Sequence, residues 1–186
     1  MGKKREAGYQ DVLEAPEHLV AEVIGGVLHT QPRPRSTHAR AATRLGAALD
    51  GPFDRGRGGP GGWLILGEPE LHLGARPDIL VPDLAGWRRE RMPEMPDAAY
   101  FDLAPDWIGE VLSKATARRD RLEKLPIYAR EGVSHAWLVD AEKQLIEVYR
   151  LDGETYRFVG GASGDDEATL EPFAAVPLEL AALWER

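Results

Sequence analysis

Short apolar runs alternate with charged or glycine-rich stretches along this chain, a pattern typical of strands joined by turns. Between His18 and His29, two apolar runs surround Gly25-Gly26, and this dipeptide favours a tight turn between antiparallel strands. The N-terminal part therefore predicts a β-hairpin. A short helix is predicted before it, near Tyr9 to Leu13.

A longer helix is predicted from His38 to Leu49, where apolar residues recur on one face and arginines on the other. Ser36 or Thr37 is the expected N-terminal cap, because a hydroxyl oxygen accepts the free N–H groups of a first turn. The next segment, Asp50 to Gly62, has six glycines and two prolines. That composition predicts an exposed flexible loop.

Three short apolar runs in the middle of the chain predict three neighbouring antiparallel strands. These runs are Trp63–Gly67, Pro69–Leu73 and Pro77–Val81. The stretch from Pro82 to Pro105 is rich in Pro, Arg, Glu and Met and has no clear periodicity. It predicts a loop with one helical turn at most.

The second half of the chain has the pattern of a strand, a helix and a second strand. These elements are predicted at Trp107–Leu112, Ala117–Arg130 and His135–Val139. Their spacing is typical of a parallel crossover, so the protein is expected to be of the α/β class. Two further strands, Leu145–Leu151 and Thr155–Val159, flank Asp152-Gly153 and predict a hairpin.

The composition indicates a single globular domain. With 186 residues and 43% hydrophobic content, the chain can bury one sizeable core, so we expect one domain over residues 1–186. The absence of cysteine excludes disulfides, thiolate nucleophiles and cysteine-bound zinc. No signal-peptide pattern or membrane-length apolar run is present, so we expect a cytoplasmic protein without a membrane partner.

The net charge of −8 argues against a protein that coats nucleic acid by bulk electrostatics. Locally the balance differs. From Gln31 to Arg57 there are six arginines and two aspartates, and basic residues also outnumber acidic ones from Lys114 to Lys124. Both stretches are candidate phosphate contacts, although charge runs of this kind are equally typical of solvated helix faces and loops.

Three residues have the types and contexts required for phosphodiester hydrolysis with a divalent metal. Asp78 follows Pro77 at the start of a predicted strand, and Glu110 lies inside an apolar strand, where a carboxylate is costly unless it is paired or metal-bound. Lys124 lies on the following helix, which Pro126 is expected to kink. The alternative is an exposed edge carboxylate and an ordinary surface pair between Asp120 and Lys124.

Several segments together resemble the Uma-two family of restriction-endonuclease-like proteins, within the PD-(D/E)xK nuclease superfamily. The matching segments are Glu22–Leu28, His38 after a proline-rich loop, Pro77–Val81, Glu110–Ser113, Asp120, Lys124, Tyr128, Gly132-Val133 and Trp137–Asp140. The resemblance implies a restriction-endonuclease-like core, in which helices flank a central mixed β-sheet and an antiparallel hairpin extends it at the N-terminus. It also implies a homodimer.

The resemblance further implies a nuclease site dependent on Mg²⁺ or Mn²⁺. Asp78 and Glu110 would bind the metal together with the backbone carbonyl of Val111, and Glu22 would assist them. The superfamily lysine stands two residues after the glutamate, where this chain has Leu112. Lys124 would therefore take its role and stabilise charge or position the attacking water.

Nucleic acid, with DNA favoured, is the partner that this resemblance implies. The candidate contacts are His38, Arg35, Arg40, Lys114 and Arg118. His38 could equally be a capping or packing residue, and Glu22 an exposed hairpin carboxylate. Tyr128 and Trp137 are expected to belong to the core.

The function predicted from the sequence is thus that of a metal-dependent endonuclease. A first alternative is a catalytically silent scaffold of the same fold that binds nucleic acid or protein. A second alternative is an interaction protein that binds an acidic partner through Arg88, Arg89, Arg91 and the segment 31–57.

Overall fold

The computed structural model describes residues 5–185, which form two β-sheets, a two-stranded ribbon and several short helices. The strands are β1 (Leu19–Ile24), β2 (Val27–Pro32), β3 (Trp63–Gly67), β4 (Leu71–Leu73), β5 (Asp78–Leu80), β6 (Leu84–Arg88), β7 (Trp107–Val111), β8 (His135–Asp140), β9 (Leu145–Asp152), β10 (Thr155–Ser163), β11 (Glu167–Ala168) and β12 (Leu178–Glu179). The helices are α1 (Tyr9–Leu13), α2 (Ser36–Leu49), α3 (Ala117–Arg119), α4 (Leu125–Arg130) and α5 (Leu180–Trp184). Two π-helical turns occur at Asp50–Asp54 and Asp120–Lys124.

The central sheet has six strands in the order β10-β9-β8-β7-β6-β3. Only the β7–β8 pair is parallel among its described strands, and the helical segment from Ala117 to Arg130 connects these two strands. This arrangement confirms the predicted mixed sheet and the predicted strand–helix–strand unit. The hairpin of β9 and β10 around Asp152-Gly153 is also confirmed.

A second, antiparallel sheet has the order β2-β1-β5-β4. Its β1–β2 hairpin confirms the predicted turn, in which Gly25 and Gly26 have φ angles of +57° and +74° that favour glycine. The prediction of three neighbouring strands is only partly right. Strands β4 and β5 pair with each other, but β3 belongs to the central sheet, where it pairs with β6.

Strand β6 lies inside the segment that the sequence predicted as a loop. Its first four residues, Leu84 to Trp87, are buried on both faces of the sheet. A strand covered on both faces does not alternate apolar and polar residues, and Gly86 weakens the strand signal further. This missed strand connects β3 to β7 and completes the central sheet.

The helix predicted from His38 begins two residues earlier, at Ser36, and its apolar face packs into the core. The expected cap by Ser36 or Thr37 is wrong, because Arg35 occupies the N-cap position and its side chain makes no capping hydrogen bond. The expected flexible loop also begins as an ordered π-helical turn. Phe53 in this turn is buried against Phe173, with ring centroids 4.8 Å apart.

Strand β7 lies between two hydrophobic clusters. Trp107 and Val111 point into a cluster that contains Trp137 and Phe173, whereas Ile108 points into the cluster on the other face. Successive side chains of a strand alternate between faces, so Glu110 shares the face of Ile108. The fold thereby places a carboxylate against the hydrophobic interior. No helix within residues 5–185 has the length and apolar character needed to cross a bilayer.

Candidate active site

Glu110 is the centre of a buried cluster of charged residues. Its Oε1 atom lies 2.7 Å from the Lys124 ammonium and accepts a 2.7 Å hydrogen bond from the Tyr128 hydroxyl. Burial, opposed by the Lys124 charge and reinforced by the nearby Asp120, Asp83 and Glu22 carboxylates, raises the pKa of Glu110 to about 8. The site therefore holds more negative charge than one ammonium neutralises.

Lys124 reaches this cluster because the helix that carries it is interrupted. Pro126 has no N–H to donate to the preceding turn, and the chain forms a wider turn in which the Leu125 N–H donates to the Asp120 carbonyl. Both Asp120 and Lys124 point inwards from this turn and are buried. The predicted disturbance of the helix near Lys124 is thus present, and it orients the lysine.

The Lys124 ammonium is surrounded by carboxylates. It lies 2.9 Å from Glu22 Oε1, 2.7 Å from Glu110 Oε1 and 4.0 Å from Asp120 Oδ1. Burial by itself lowers the pKa of Lys124, but the charges of these three carboxylates outweigh it and raise that pKa above its ordinary value. Lys124 is therefore a protonated hydrogen-bond donor and not a general base.

Glu22 connects the two sheets at this point. It lies on β1, is 2% exposed, and its Oε1 accepts a 2.9 Å hydrogen bond from the Val81 N–H. The same oxygen contacts Lys124. The alternative that Glu22 is an exposed hairpin carboxylate is wrong, because the residue is buried and its Oε1 contacts the Val81 N–H and the Lys124 ammonium.

Asp83 belongs to the site and was missed from the sequence. It follows Pro82 in the connection between β5 and β6, and its Oδ2 accepts a 2.7 Å hydrogen bond from the Val111 N–H. The same oxygen lies 3.4 Å from His38 Nε2. The available signal was a second Pro-Asp dipeptide, five residues after Pro77-Asp78 and directly before the apolar run of β6.

Asp78, the aspartate predicted for the metal site, lies elsewhere. Its Oδ1 accepts a 2.6 Å hydrogen bond from the Gly25 N–H, and its Oδ2 pairs with Arg130 at 2.8 Å. Strand β5 lies in the second sheet, and Asp78 at its start fastens the β1–β2 turn to helix α4. Asp83, at the other end of the same segment, lines the cavity together with Glu110, whereas Asp78 does not.

The predicted nucleic-acid contacts divide into two groups. His38, Arg35 and Lys114 line the cavity above the carboxylates, whereas the Arg40 guanidinium donates to the Glu185 carbonyl at 2.7 Å, away from the cavity. Arg118 is exposed on α3 and does not line the cavity.

His38 is held between the cavity and Asp83. Burial lowers the pKa of His38, but the hydrogen bond and charge of Asp83, together with the Val111 backbone, raise it above its ordinary value. His38 therefore contacts an acidic residue of the site, and this contact explains its position without a role in helix capping.

The arginines proposed to bind an acidic partner are engaged within the chain. Arg89 pairs with Asp54 at 2.7 Å and Arg91 pairs with Asp106 at 2.8 Å. The Arg88 guanidinium lies over the Trp63 ring at 4.5 Å from its centroid. These contacts explain the three arginines structurally and weaken the interaction-protein alternative.

A cavity of about 390 Å³ opens above the buried cluster. Its floor includes Asp83, Glu110, Asp120 and Lys124, and its walls come from the segments 31–38 and 111–116. Polar and charged groups converging in a concave site are the arrangement expected of an active site. The cavity therefore provides room for a reacting group beside the cluster.

The residues fit a hard divalent cation with few protein ligands. The hydrogen bonds of Glu22, Glu110 and Asp83 in residues 5–185 each use one oxygen, so Glu110 Oε2 and Asp83 Oδ1 remain for a ligand. Within the same residues, no three histidine or acidic side chains converge as a ready metal-binding group. Mg²⁺ is commonly held by one or two carboxylates and several waters, which matches this donor set.

Comparisons with known proteins show the family and the fold of the chain. A family model described as "Putative restriction endonuclease" (Uma2) matches residues 9–182. The fold is similar to the crystal structure of a "putative nuclease belonging to DUF820" from Anabaena variabilis, with a TM-score of 0.75 and 22% sequence identity. The similarity covers 94% of this chain and 96% of the other, and at this identity it establishes the fold alone. No curated protein sequence matches the chain.

Proposed function

The chain belongs to the Uma2 (Uma-two) family of restriction-endonuclease-like proteins, and from its site we propose that it is a metal-dependent nuclease that hydrolyses phosphodiester bonds of DNA. The observation that carries the proposal is the buried contact of Lys124 with Glu22 and Glu110 at the floor of a cavity that Asp83 also lines. Buried charges are costly, and groups perturbed in this way cluster at functional sites.

In this proposal, Asp83, Glu110 and the Val111 carbonyl hold the metal. When bound, Mg²⁺ or Mn²⁺ supplies positive charge that stabilises the charge developing on the phosphate. Asp83 is held for this role by the Val111 N–H, and Glu110 by the Tyr128 hydroxyl. Each carboxylate is therefore fixed through one oxygen and presents the other towards the cavity.

Lys124 donates a hydrogen bond to a non-bridging oxygen of the scissile phosphate. Its raised pKa keeps the ammonium charged, and Glu22 and Glu110 orient it from behind at 2.9 and 2.7 Å. Preorganised donors aimed at developing charge are among the strongest contributions to catalysis. Glu22 thus acts as a positioning residue for Lys124.

A catalytically silent scaffold is the second candidate, because Lys124 already satisfies one oxygen of both Glu22 and Glu110 without a metal. In this candidate, the same cavity would bind nucleic acid or protein without cleaving it. We also expect a homodimer, as the family resemblance implies, and light scattering of the purified protein measures this directly.

The test is cleavage of supercoiled plasmid and of single-stranded DNA with Mg²⁺ or Mn²⁺, compared with EDTA. Native protein is measured beside Glu110→Gln and Lys124→Ala. Exposed residues outside the cavity provide matched controls, Glu154→Gln and Lys143→Ala. Cleavage that requires metal and is lost only in the two site variants supports the nuclease. Metal binding without cleavage by native protein supports the silent scaffold.

A further inference from the structure

We propose that the cavity accepts a single strand or a frayed end of DNA, with one nucleotide unstacked inside it, and not an intact duplex. This inference rests on the proposed function, since it concerns the substrate of the same site. Three features of the site support it: its depth, its walls and the charge of its rim.

The functional groups are recessed. The side chains of Lys124, Glu22, Glu110 and Asp120 are only 2–5% exposed. In a duplex the phosphates lie on a convex surface and the bases are stacked behind them, so a nucleotide enters a recessed pocket only after it has been unstacked, which costs a few kcal/mol. A single strand has free torsions and can place one phosphate on the cavity floor without this step.

The walls of the cavity suit a base better than a backbone. Its volume of about 390 Å³ lies at the small end of the range for small-molecule sites, which is about 300–1,000 Å³. Apolar side chains face this space above the polar floor; they include Val20, Pro32, Pro34, Val81 and Ala115. Such walls match the apolar face of a base, which a duplex keeps stacked in its interior.

The rim carries too little free positive charge to follow a duplex. Arg33 lies 3.9 Å from Glu68, and Lys114 lies 3.2 Å from Glu142, so acidic partners compensate two of the cations at the rim. All four residues line the cavity. Arg35, which is exposed and also lines the cavity, makes no ion pair within residues 5–185 and is left to contact a phosphate. Affinity for duplex DNA comes largely from neutralised phosphates, and a protein with an extended footprint makes about 6–10 such contacts. This rim, on a chain of net charge −8, can contact only a few.

The experiment measures binding and cleavage separately. Binding of labelled DNA is followed by fluorescence anisotropy with Glu110→Gln, and cleavage is followed with native protein. The ligands are a short single strand, its blunt duplex and a duplex with a single-stranded overhang. Ala115→Phe, which fills the cavity, is compared with Ala175→Phe, the same substitution at an exposed turn outside it.

We expect the single strand to bind at least about tenfold more tightly than the blunt duplex, because the duplex must first lose pairing and stacking at one nucleotide. Cleavage should be confined to the single strand and the overhang. Ala115→Phe should weaken single-strand binding about tenfold, because the added ring takes up the space for one base. Ala175→Phe should leave the affinity for the single strand unchanged.

The outcomes separate the two proposals. Equal binding of strand and duplex, internal cleavage of the duplex at the rate of the strand, or no effect of Ala115→Phe would overturn the single-strand inference and leave the nuclease intact. If the protein prefers the single strand but cleaves no DNA, the proposed nuclease activity is overturned and the inference that a single strand occupies the cavity is supported. Absence of binding to every DNA would overturn both.

Discussion

The aspartate of the proposed metal site can be tested by changing Asp78, which the sequence predicted, and Asp83, which the structure places at the cavity, in parallel. Both aspartates follow a proline. Asp78 is buried and Asp83 is partly buried. We expect Asp83→Asn to abolish cleavage while the protein stays folded, and Asp78→Asn to leave cleavage per folded molecule unchanged. The matched substitutions remove one charge each without a change of shape.

The expected magnitudes follow from the contacts. An asparagine oxygen at 83 can still accept the Val111 N–H, so stability should change by less than about 1 kcal/mol. Loss of the charge that helps to hold the metal should lower the cleavage rate at least about 100-fold, equivalent to about 3 kcal/mol.

Asp78→Ala should instead act on stability. Its hydrogen bond from the Gly25 N–H goes to a charged group and contributes about 1.5–3 kcal/mol. The ion pair with Arg130 adds at most about 1 kcal/mol, since that guanidinium is 53% exposed. A total loss of about 1.5–4 kcal/mol corresponds to a fall in Tm of roughly 3–16 °C.

The assay combines plasmid cleavage with thermal and urea unfolding of the same preparations. Rates are normalised to the folded fraction, so that a stability defect is not counted as a catalytic one. If Asp83→Asn cleaves at the native rate while folded Asp78→Asn is inactive, the assignment of Asp83 as the metal-binding aspartate is refuted. Asp78, which the sequence predicted, would then hold that role.

Three further predictions concern the cluster and its surroundings. Lys124→Met should cost about 3–5 kcal/mol in urea unfolding, because it leaves buried carboxylates unpaired; a loss below 1 kcal/mol would contradict their burial. Tyr128→Phe should lower cleavage about tenfold, whereas Tyr156→Phe, which loses a hydroxyl bonded to a backbone carbonyl, should affect stability only; equal rates would exclude a positioning role. Burial lowers the pKa of His135, so its stabilising contribution is complete above about pH 6.5 and is lost as the pH falls towards the folded pKa; His135→Gln should flatten the unfolding free energy between pH 7 and 5, and an unchanged slope would count against this.

The elements with strong local signals could be predicted from the sequence. The β1–β2 hairpin is predicted by Gly25-Gly26 between apolar runs, and β7 by a short, mostly apolar run. The same local reasoning identified Glu110, since a carboxylate inside such a run conflicts with its surroundings. The structure shows that Glu110 is buried in the folded chain, as this conflict requires.

The elements that were predicted wrongly lack a clear local signal in the sequence. Strand β6 is covered on both faces and shows no alternation, so its burial depends on partners far along the chain, in β3 and β7. In strand β6, tertiary contacts thus outweighed a weak local preference. The prediction that Ser36 or Thr37 caps α2 was wrong because Arg35, with an extended backbone, occupies the N-cap position and the helix already begins at Ser36.

The sequence by itself determined the residue types of the site and the strands and helices that carry most of them, because hydrophobic period, proline and glycine act locally. Only the tertiary structure decided which of the two Pro-Asp dipeptides stands beside Glu110. Asp78 and Asp83 are five residues apart and chemically equal, but the chain passes between two sheets there. Which carboxylate meets Glu110 depends on strand pairing across long sequence separations, and no local pattern encodes it.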